Sequence, residues 1–137
     1  MAQHVICLDT SYLVRGLIAA TPEADCLIRW IKKGEVLVAS SIAWYEFECG
    51  PIDDAGLKLA RKLLTGGILP FDETQAATAA RLFNAAGRLR RFRVDAIVAA
   101  AAIAAGASLA TGNRRDFLPF VRHGLKLISR MRMRRAG

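Results

Sequence analysis

Four acidic residues, far apart along the chain, are the residues best suited to chemistry: Asp9, Glu46, Asp95 and Asp116. Asp95 precedes an entirely apolar run, since residues 96–105 are all Ala, Ile or Val. A carboxylate beside such a run is costly unless a cation or hydrogen bonds compensate its charge. If the four side chains converge, their repulsion favours a bound cation. Mg²⁺ or Mn²⁺ suits such a site, because both ions prefer carboxylate and water oxygens.

The segments around these acids alternate between predicted strands and predicted helices. This order predicts an α/β fold in three layers, with a central parallel sheet of about five strands flanked by helices on both faces. Strands are predicted at residues 5–9, 35–40, 67–71, 107–111 and 125–129, and helices at 21–34, 41–50, 53–67, 72–89 and 95–106.

The predicted elements place the four acids at one edge of the sheet. Asp9 ends the first strand, Glu46 lies on the helix after the second, and Asp116 follows the fourth. Asp95 begins the helix that leads into the fourth strand, and ligands of open α/β sheets bind at this carboxyl edge. A simpler interpretation exists for each acid. The three aspartates could cap helices with their side chains, and Glu46 could be a solvated surface residue.

Composition and charge limit the classes of function. The 137 residues predict a single domain, 1–137, with a basic and frayed end at 130–137. Residues 1–87 hold 8 Lys and Arg against 10 Asp and Glu, whereas residues 88–137 hold 12 against 2. The basic C-terminal half favours a polyanion or an acidic protein as a partner.

The chain is expected to fold in the cytoplasm. Its apolar runs fall short of the roughly 20 residues that a membrane span needs, and no signal peptide is recognisable. Cys7, Cys26 and Cys49 are odd in number and lack C-x-x-C spacing, so we expect buried, reduced thiols without a disulfide or zinc site.

Four segments together resemble the PIN-domain ribonucleases and, within them, the VapC toxins of bacterial toxin–antitoxin pairs. The segments are VICLDTSYLV, AWYEFECG, VDAIVAAAAIAAGASLATGNRRDF and LKLIS. The resemblance implies a Mg²⁺-dependent endoribonuclease, with Mn²⁺ as an alternative ion, in which a metal-activated water hydrolyses RNA phosphodiester bonds. It also implies a homodimer and a cognate antitoxin whose C-terminal segment inserts near the active site.

The same resemblance assigns roles to individual residues. It implies that the acids hold the metal and that three polar residues support them. The acids are Asp9 and Asp95 as primary metal ligands, with Glu46 and Asp116; the polar residues are Ser11, Thr111 and Asn113.

Two groups of arginines are candidates for binding RNA. Arg114 and Arg115 stand beside Asp116, and the stretch RLRRFR (88–93) precedes Asp95, with Phe92 available to stack on a base. Solvated arginines in loops are the simpler interpretation of both groups.

Rival classes share parts of the pattern. A receiver-like signalling domain would use Asp72 as its phosphoacceptor, but a capping box with Gln75 also explains Asp72. A haloacid-dehalogenase-like phosphatase needs a second Asp where Ser11 stands. A non-catalytic RNA-binding module would explain the charge but would leave the converging acids without a purpose.

Overall fold

A parallel sheet of five strands forms the centre of the protein. The computed structural model describes residues 3–129, so the basic end 130–137 lies outside the described residues. The strands are β1 (Val5–Leu8), β2 (Val36–Ser40), β3 (Gly67–Leu69), β4 (Ser108–Ala110) and β5 (Lys126–Leu127). All neighbouring strands pair in parallel, in the order β3-β2-β1-β4-β5. The predicted sheet is therefore confirmed.

Helices follow each of the first four strands. They are α1 (Thr10–Arg15), α2 (Pro22–Lys32), α3 (Ser41–Glu48), α4 (Asp54–Leu63), α5 (Glu73–Ala85), α6 (Arg93–Ala104) and α7 (Arg114–Val121), with a 3₁₀ helix at Arg90–Phe92. Helices α1 and α7 were not predicted from the sequence. No helix among residues 3–129 is long and apolar enough to cross a membrane.

The sheet separates two hydrophobic cores because successive strand residues point to opposite faces. Leu37 and Ala39 of β2 face one core, which contains Trp30 of α2 and Phe47 of α3. Val38 of β2 faces the other core, which the residues of α5, α6 and α7 complete. Both faces of the sheet are thus covered, and the three predicted layers are present.

Capping residues fix several helix starts, among them the predicted capping box at Asp72. Thr21 accepts a hydrogen bond from the Ala24 N–H at the start of α2. Asp72 and Gln75 form a reciprocal capping box at the start of α5. Asp72 therefore has a structural task that explains its position.

One prediction about the cysteines is wrong. Cys7 and Cys26 are buried, but Cys49 is exposed. Cys49 follows the last residue of α3 as its C-cap, where the chain leaves the core.

Candidate active site

The strand order reverses between β1 and β4, and we refer to the carboxyl edge of the sheet at this point as the crevice. From β1 the chain continues to β2 and β3 on one side, whereas β4 and β5 lie on the other side. Asp9 directly follows β1 and Thr111 directly follows β4, and the Asp9 N–H donates to the Ala110 carbonyl at 3.0 Å. Such a reversal is the usual ligand-binding position in open α/β sheets.

Asp9 is the most deeply placed of the four acids, with 7% of its surface exposed. The buried Thr111 hydroxyl donates to Asp9 Oδ2 at 2.7 Å. Burial raises the pKa of Asp9 above its usual range, and the hydrogen bond from Thr111 partly opposes this shift. Asp9 stands at the N-cap position of α1 without a side-chain capping bond. The capping interpretation is therefore wrong for its side chain.

Glu46 reaches the site from the exposed side of α3. Its Oε1 accepts a hydrogen bond of 3.0 Å from the Thr10 hydroxyl, at the first position of α1. The solvated interpretation is therefore incomplete, because Glu46 is linked to the residue after Asp9. Thr10 was not predicted to be a site residue, although a hydroxyl directly after the first acid was the available signal.

Asp95 experiences the charges of all three other acids. It is the third residue of α6 and is half-buried. Its pKa is raised to about 6, mainly by burial and then by the negative charges of Asp116, Asp9 and Glu46, in that order. The four carboxylates from β1, α3, α6 and α7 therefore share one electrostatic environment.

Neither Asp95 nor Asp116 caps its helix. Each is the third residue of its helix, and the N-cap residues Phe92 and Asn113 make no side-chain capping bond. Both carboxylates lie in a first turn, where the positive end of the helix dipole favours negative charge. Asp116 is exposed, so its charge reaches Asp95 from the outer side of the site.

Hydroxyl groups connect the two sides of the crevice. The Gly112 N–H donates to Ser11 Oγ at 3.0 Å, which ties the start of α1 to the loop after β4. The Asn113 N–H donates to Thr111 Oγ1 at 3.0 Å, so the hydroxyl that contacts Asp9 is itself oriented by the loop. Ser11 and Thr111 thus have structural partners at the site, whereas Asn113 contributes through its backbone.

The candidate RNA-binding side chains differ in their surroundings. Arg114 is half-buried and its Nη1 donates to the Ile128 carbonyl at 2.6 Å, whereas Arg115 is exposed. Phe92 is buried, with its ring edge-on to Phe120 at 6.1 Å between centroids. The prediction that Phe92 stacks on a base is wrong, because its ring belongs to the core.

The donor atoms at the crevice fit a hard divalent cation. Among residues 3–129, no three His, Cys, Asp or Glu side chains are arranged so that they could together hold one ion. Mg²⁺ does not need three, since it commonly binds through one or two carboxylates and keeps several waters. Asp9 and Asp95 offer such a pair, and the repulsion acting on Asp95 is what a cation would relieve.

Comparison with known proteins identifies the family of the chain. The PIN domain family model matches residues 6–123. The chain belongs to the PIN domain family. No curated protein matches it. Membership of this family excludes the receiver-like alternative.

Solved structures share the fold at low sequence identity. FitAcB from Neisseria gonorrhoeae has 23% identity and a TM-score of 0.64, covering 90% of this chain and 96% of that one. A toxin–antitoxin complex from Klebsiella pneumoniae has 23% identity and a TM-score of 0.65, covering 82% and 90%. VapBC2 from Rickettsia felis, bound to a promoter DNA fragment, has 20% identity and a TM-score of 0.65, covering 90% and 97%.

Proposed function

We propose that this protein is a Mg²⁺-dependent endoribonuclease and the toxin of a VapBC-type toxin–antitoxin pair. The observation that carries the proposal is that Asp95, at the edge where the strand order reverses, experiences the negative charges of Asp116, Asp9 and Glu46. Helix capping does not explain the three aspartates, and a hydrolytic metal site does.

Each residue has a defined task in this proposal. Asp9 and Asp95 hold the cation, and Asp116 and Glu46 orient water around it. The cation, when bound, supplies positive charge that polarises the phosphate and favours ionisation of water. The Thr111 hydroxyl fixes Asp9 Oδ2, and the Thr10 hydroxyl fixes Glu46 Oε1.

RNA is the substrate that the charge distribution supports. Residues 88–137 hold 12 Lys and Arg against 2 acids, and those two acids are Asp95 and Asp116 of the site. A chain segment this basic, which also carries two acids of the candidate site, favours a polyanionic substrate such as RNA. The same charge also favours a non-catalytic RNA-binding module as the second candidate.

Cleavage of purified total RNA tests the proposal directly. The protein without antitoxin is incubated with RNA in Mg²⁺ and in Mn²⁺, beside an EDTA sample and an Asp95→Asn variant. Asp72→Asn is the matched control, since it also replaces one aspartate but lies in a capping box in which Asn can serve.

We expect discrete fragments from the wild type and from Asp72→Asn, and none with EDTA or with Asp95→Asn. Folded protein that binds RNA and leaves it intact in both metals would support the non-catalytic module. If Asp95→Asn cleaved RNA as well as the wild type does, the active site would not be where we assign it.

The toxin role predicts an antitoxin partner. The FitAcB and VapBC2 structures and the Klebsiella complex motivate this part of the proposal. We expect cytoplasmic expression of the chain to arrest bacterial growth, and co-expression of a small protein from the same operon to restore it. Growth arrest that persists in Asp95→Asn would separate toxicity from RNA cleavage.

A homodimer is also expected, and light scattering of the purified chain measures it.

A further inference from the structure

Four exposed arginines surround the connection between α5 and α6. They are Arg88, Arg90, Arg91 and Arg93, and we refer to them as the arginine turn. Helix α6 starts at the carboxyl edge of the sheet, and Arg93 is its first residue, two positions before Asp95. The arginine turn therefore leads directly into the first turn of α6, which carries Asp95.

The backbone and an aromatic ring hold part of this turn in place. Gly87 and Arg88 both have a positive φ, of 95° and 62°, which is uncommon for a residue with a side chain. The Arg88 N–H donates to the Phe83 carbonyl at 3.0 Å, and its guanidinium donates to Asn84 Oδ1. The guanidinium groups of Arg88 and Arg93 both lie 5.7 Å from the centre of the Phe83 ring.

The charges of the arginine turn are not neutralised by acids of the described chain. Within residues 3–129, none of these four arginines forms an ion pair, whereas Arg15 and Glu23 do so at 3.0 Å. Four positive charges between residues 88 and 93 repel one another, and the positive end of the α6 dipole adds to the repulsion. An anion bound across the turn would relieve this repulsion.

Aromatic rings in the turn are not accessible as stacking platforms. Phe92 is buried, and two arginines cover Phe83. The turn thus offers cationic groups to a ligand without an exposed ring that could stack on a base. This distinguishes a surface that binds the backbone from one that reads the bases.

We propose that the arginine turn binds the phosphodiester backbone of single-stranded RNA beside the cleavage position, without selecting bases. The proposal rests on the nuclease function assigned to the adjacent site and names how that site holds its substrate. It assigns binding affinity to the turn and leaves sequence selection to other surfaces.

Binding in EDTA measures this role without cleavage. Fluorescence polarisation of labelled oligouridylate and oligoadenylate is recorded over a series of KCl concentrations. The test protein is the full chain carrying Arg90→Gln, Arg91→Gln and Arg93→Gln. The control carries Lys32→Gln, Lys33→Gln and Lys126→Gln, which removes the same charge from exposed positions at the opposite edge of the sheet.

The salt dependence decides the outcome. Each phosphate contact with a single strand contributes about 0.7 to the slope of log Kd against log salt, so losing three contacts reduces the slope by about 2. We expect this reduction and roughly tenfold or greater weakening in the arginine variant, equal for both oligonucleotides, while the lysine variant keeps the wild-type slope. Arg90→Gln alone, with an expected change of about 0.7, serves if the triple variant does not fold.

Three results would overturn the proposal. An unchanged slope of log Kd against log salt in the arginine variant would do so. Equal losses of RNA affinity in the arginine and lysine variants would also do so, because they would indicate diffuse electrostatic attraction. Unchanged RNA binding with lost binding of poly-glutamate would assign the turn to an acidic protein.

Cleavage by the wild type in Mg²⁺ separates this proposal from the nuclease function. If the wild type cleaves RNA but the slope is unchanged in the arginine variant, the RNA-binding role of the arginine turn is refuted and the nuclease function is retained. If the slope is reduced in the arginine variant but the wild type does not cleave RNA, the nuclease function is refuted and the arginine turn is retained as an RNA-binding surface.

Discussion

The carboxylate of Asp95 destabilises the metal-free protein at neutral pH. Its pKa is raised from 3.8 to about 6, so the folded protein holds this proton more tightly than the unfolded chain does. This loss of folding stability is complete above pH 6 and disappears once the pH is below 3.8. One pKa unit corresponds to about 1.4 kcal/mol, and partial exposure of Asp95 reduces the expected effect of its whole shift to about 1 kcal/mol.

We therefore expect Asp95→Asn to be more stable than the wild type by about 1 kcal/mol in EDTA at neutral pH. Urea unfolding at neutral pH and at a pH well below 3.8, the ordinary pKa of Asp, measures the difference, which should vanish at the lower pH. Asp72→Asn should show no such gain. A wild type more stable than Asp95→Asn at neutral pH without metal would contradict the electrostatic account.

The Thr111 hydroxyl stabilises both Asp9 and the loop after β4. It donates to Asp9 Oδ2 and accepts from the Asn113 N–H. Thr111→Val removes both bonds, so the pKa of Asp9 should rise further and the free energy of unfolding should fall by about 1–3 kcal/mol. Metal affinity should fall roughly 10- to 100-fold, as expected for a residue that orients a ligand.

Thr111→Ser is the control for this prediction, because it keeps the hydroxyl. Calorimetric Mg²⁺ titration and urea unfolding compare the three proteins. If Thr111→Ser lost as much metal affinity as Thr111→Val, the methyl group rather than the hydroxyl would be responsible.

The strength of the sequence signal differed among the site residues. Asp9 was recognisable because an acid ends a buried strand, and Asp95 because it precedes an apolar run. The environments of Phe92 and Cys49 depended on the path of the chain after a helix end, which periodicity does not specify. The link between Thr10 and Glu46 joins residues 36 positions apart, so only the folded arrangement of α1 and α3 reveals it.

Small residues allow helix α6 to pack tightly between its neighbours. Ala99, Ala100 and Ala102 are fully buried in the core that α5 and the sheet complete. Ala100→Leu should lower the free energy of unfolding by about 1–3 kcal/mol, because the close packing leaves no room for the larger side chain. Ala104→Leu, on the exposed side of the same helix, should change it by at most about 0.5 kcal/mol.

Urea unfolding of both leucine variants checks this prediction. Equal stability of Ala100→Leu and the wild type would mean that the interface between α6 and its neighbours is loosely packed. In that case the position of Asp95, on the same helix α6, would be less firmly defined than the contacts indicate.

The strands and the longer helices were predictable, and two short helices were not. Strong apolar runs and capping residues identified all five strands and helices α2 to α6. Helix α1 has six residues directly after β1, and its Tyr12, Leu13 and Val14 continue an apolar pattern that also suits a strand. Helix α7 contains Pro119, a residue that normally argues against a helix interior.

The whole chain contributes to the candidate site, since its acids come from segments that begin at residue 9 and end at residue 116. The sheet order brings β1 and β4 together, although Asp9 and Thr111 are 102 positions apart. The parallel arrangement places both strand ends and the start of α6 at the same edge. The repulsion among the acids therefore lowers the free energy of unfolding of the whole protein, and a bound cation would reduce that repulsion.

Mg²⁺ should accordingly stabilise the whole protein against unfolding. A ligand that binds only the folded state at about 100 times its Kd adds about 2.7 kcal/mol, which should appear as a rise in Tm that grows with Mg²⁺ concentration. KCl at matched ionic strength controls for screening, which also weakens repulsion but without saturation. Asp95→Asn should lose most of the Mg²⁺ response, whereas Asp72→Asn should keep it, because its carboxylate belongs to a capping box. An equal rise in Tm with KCl would show that general screening suffices, and the carboxylates would then be a repulsive cluster without a metal.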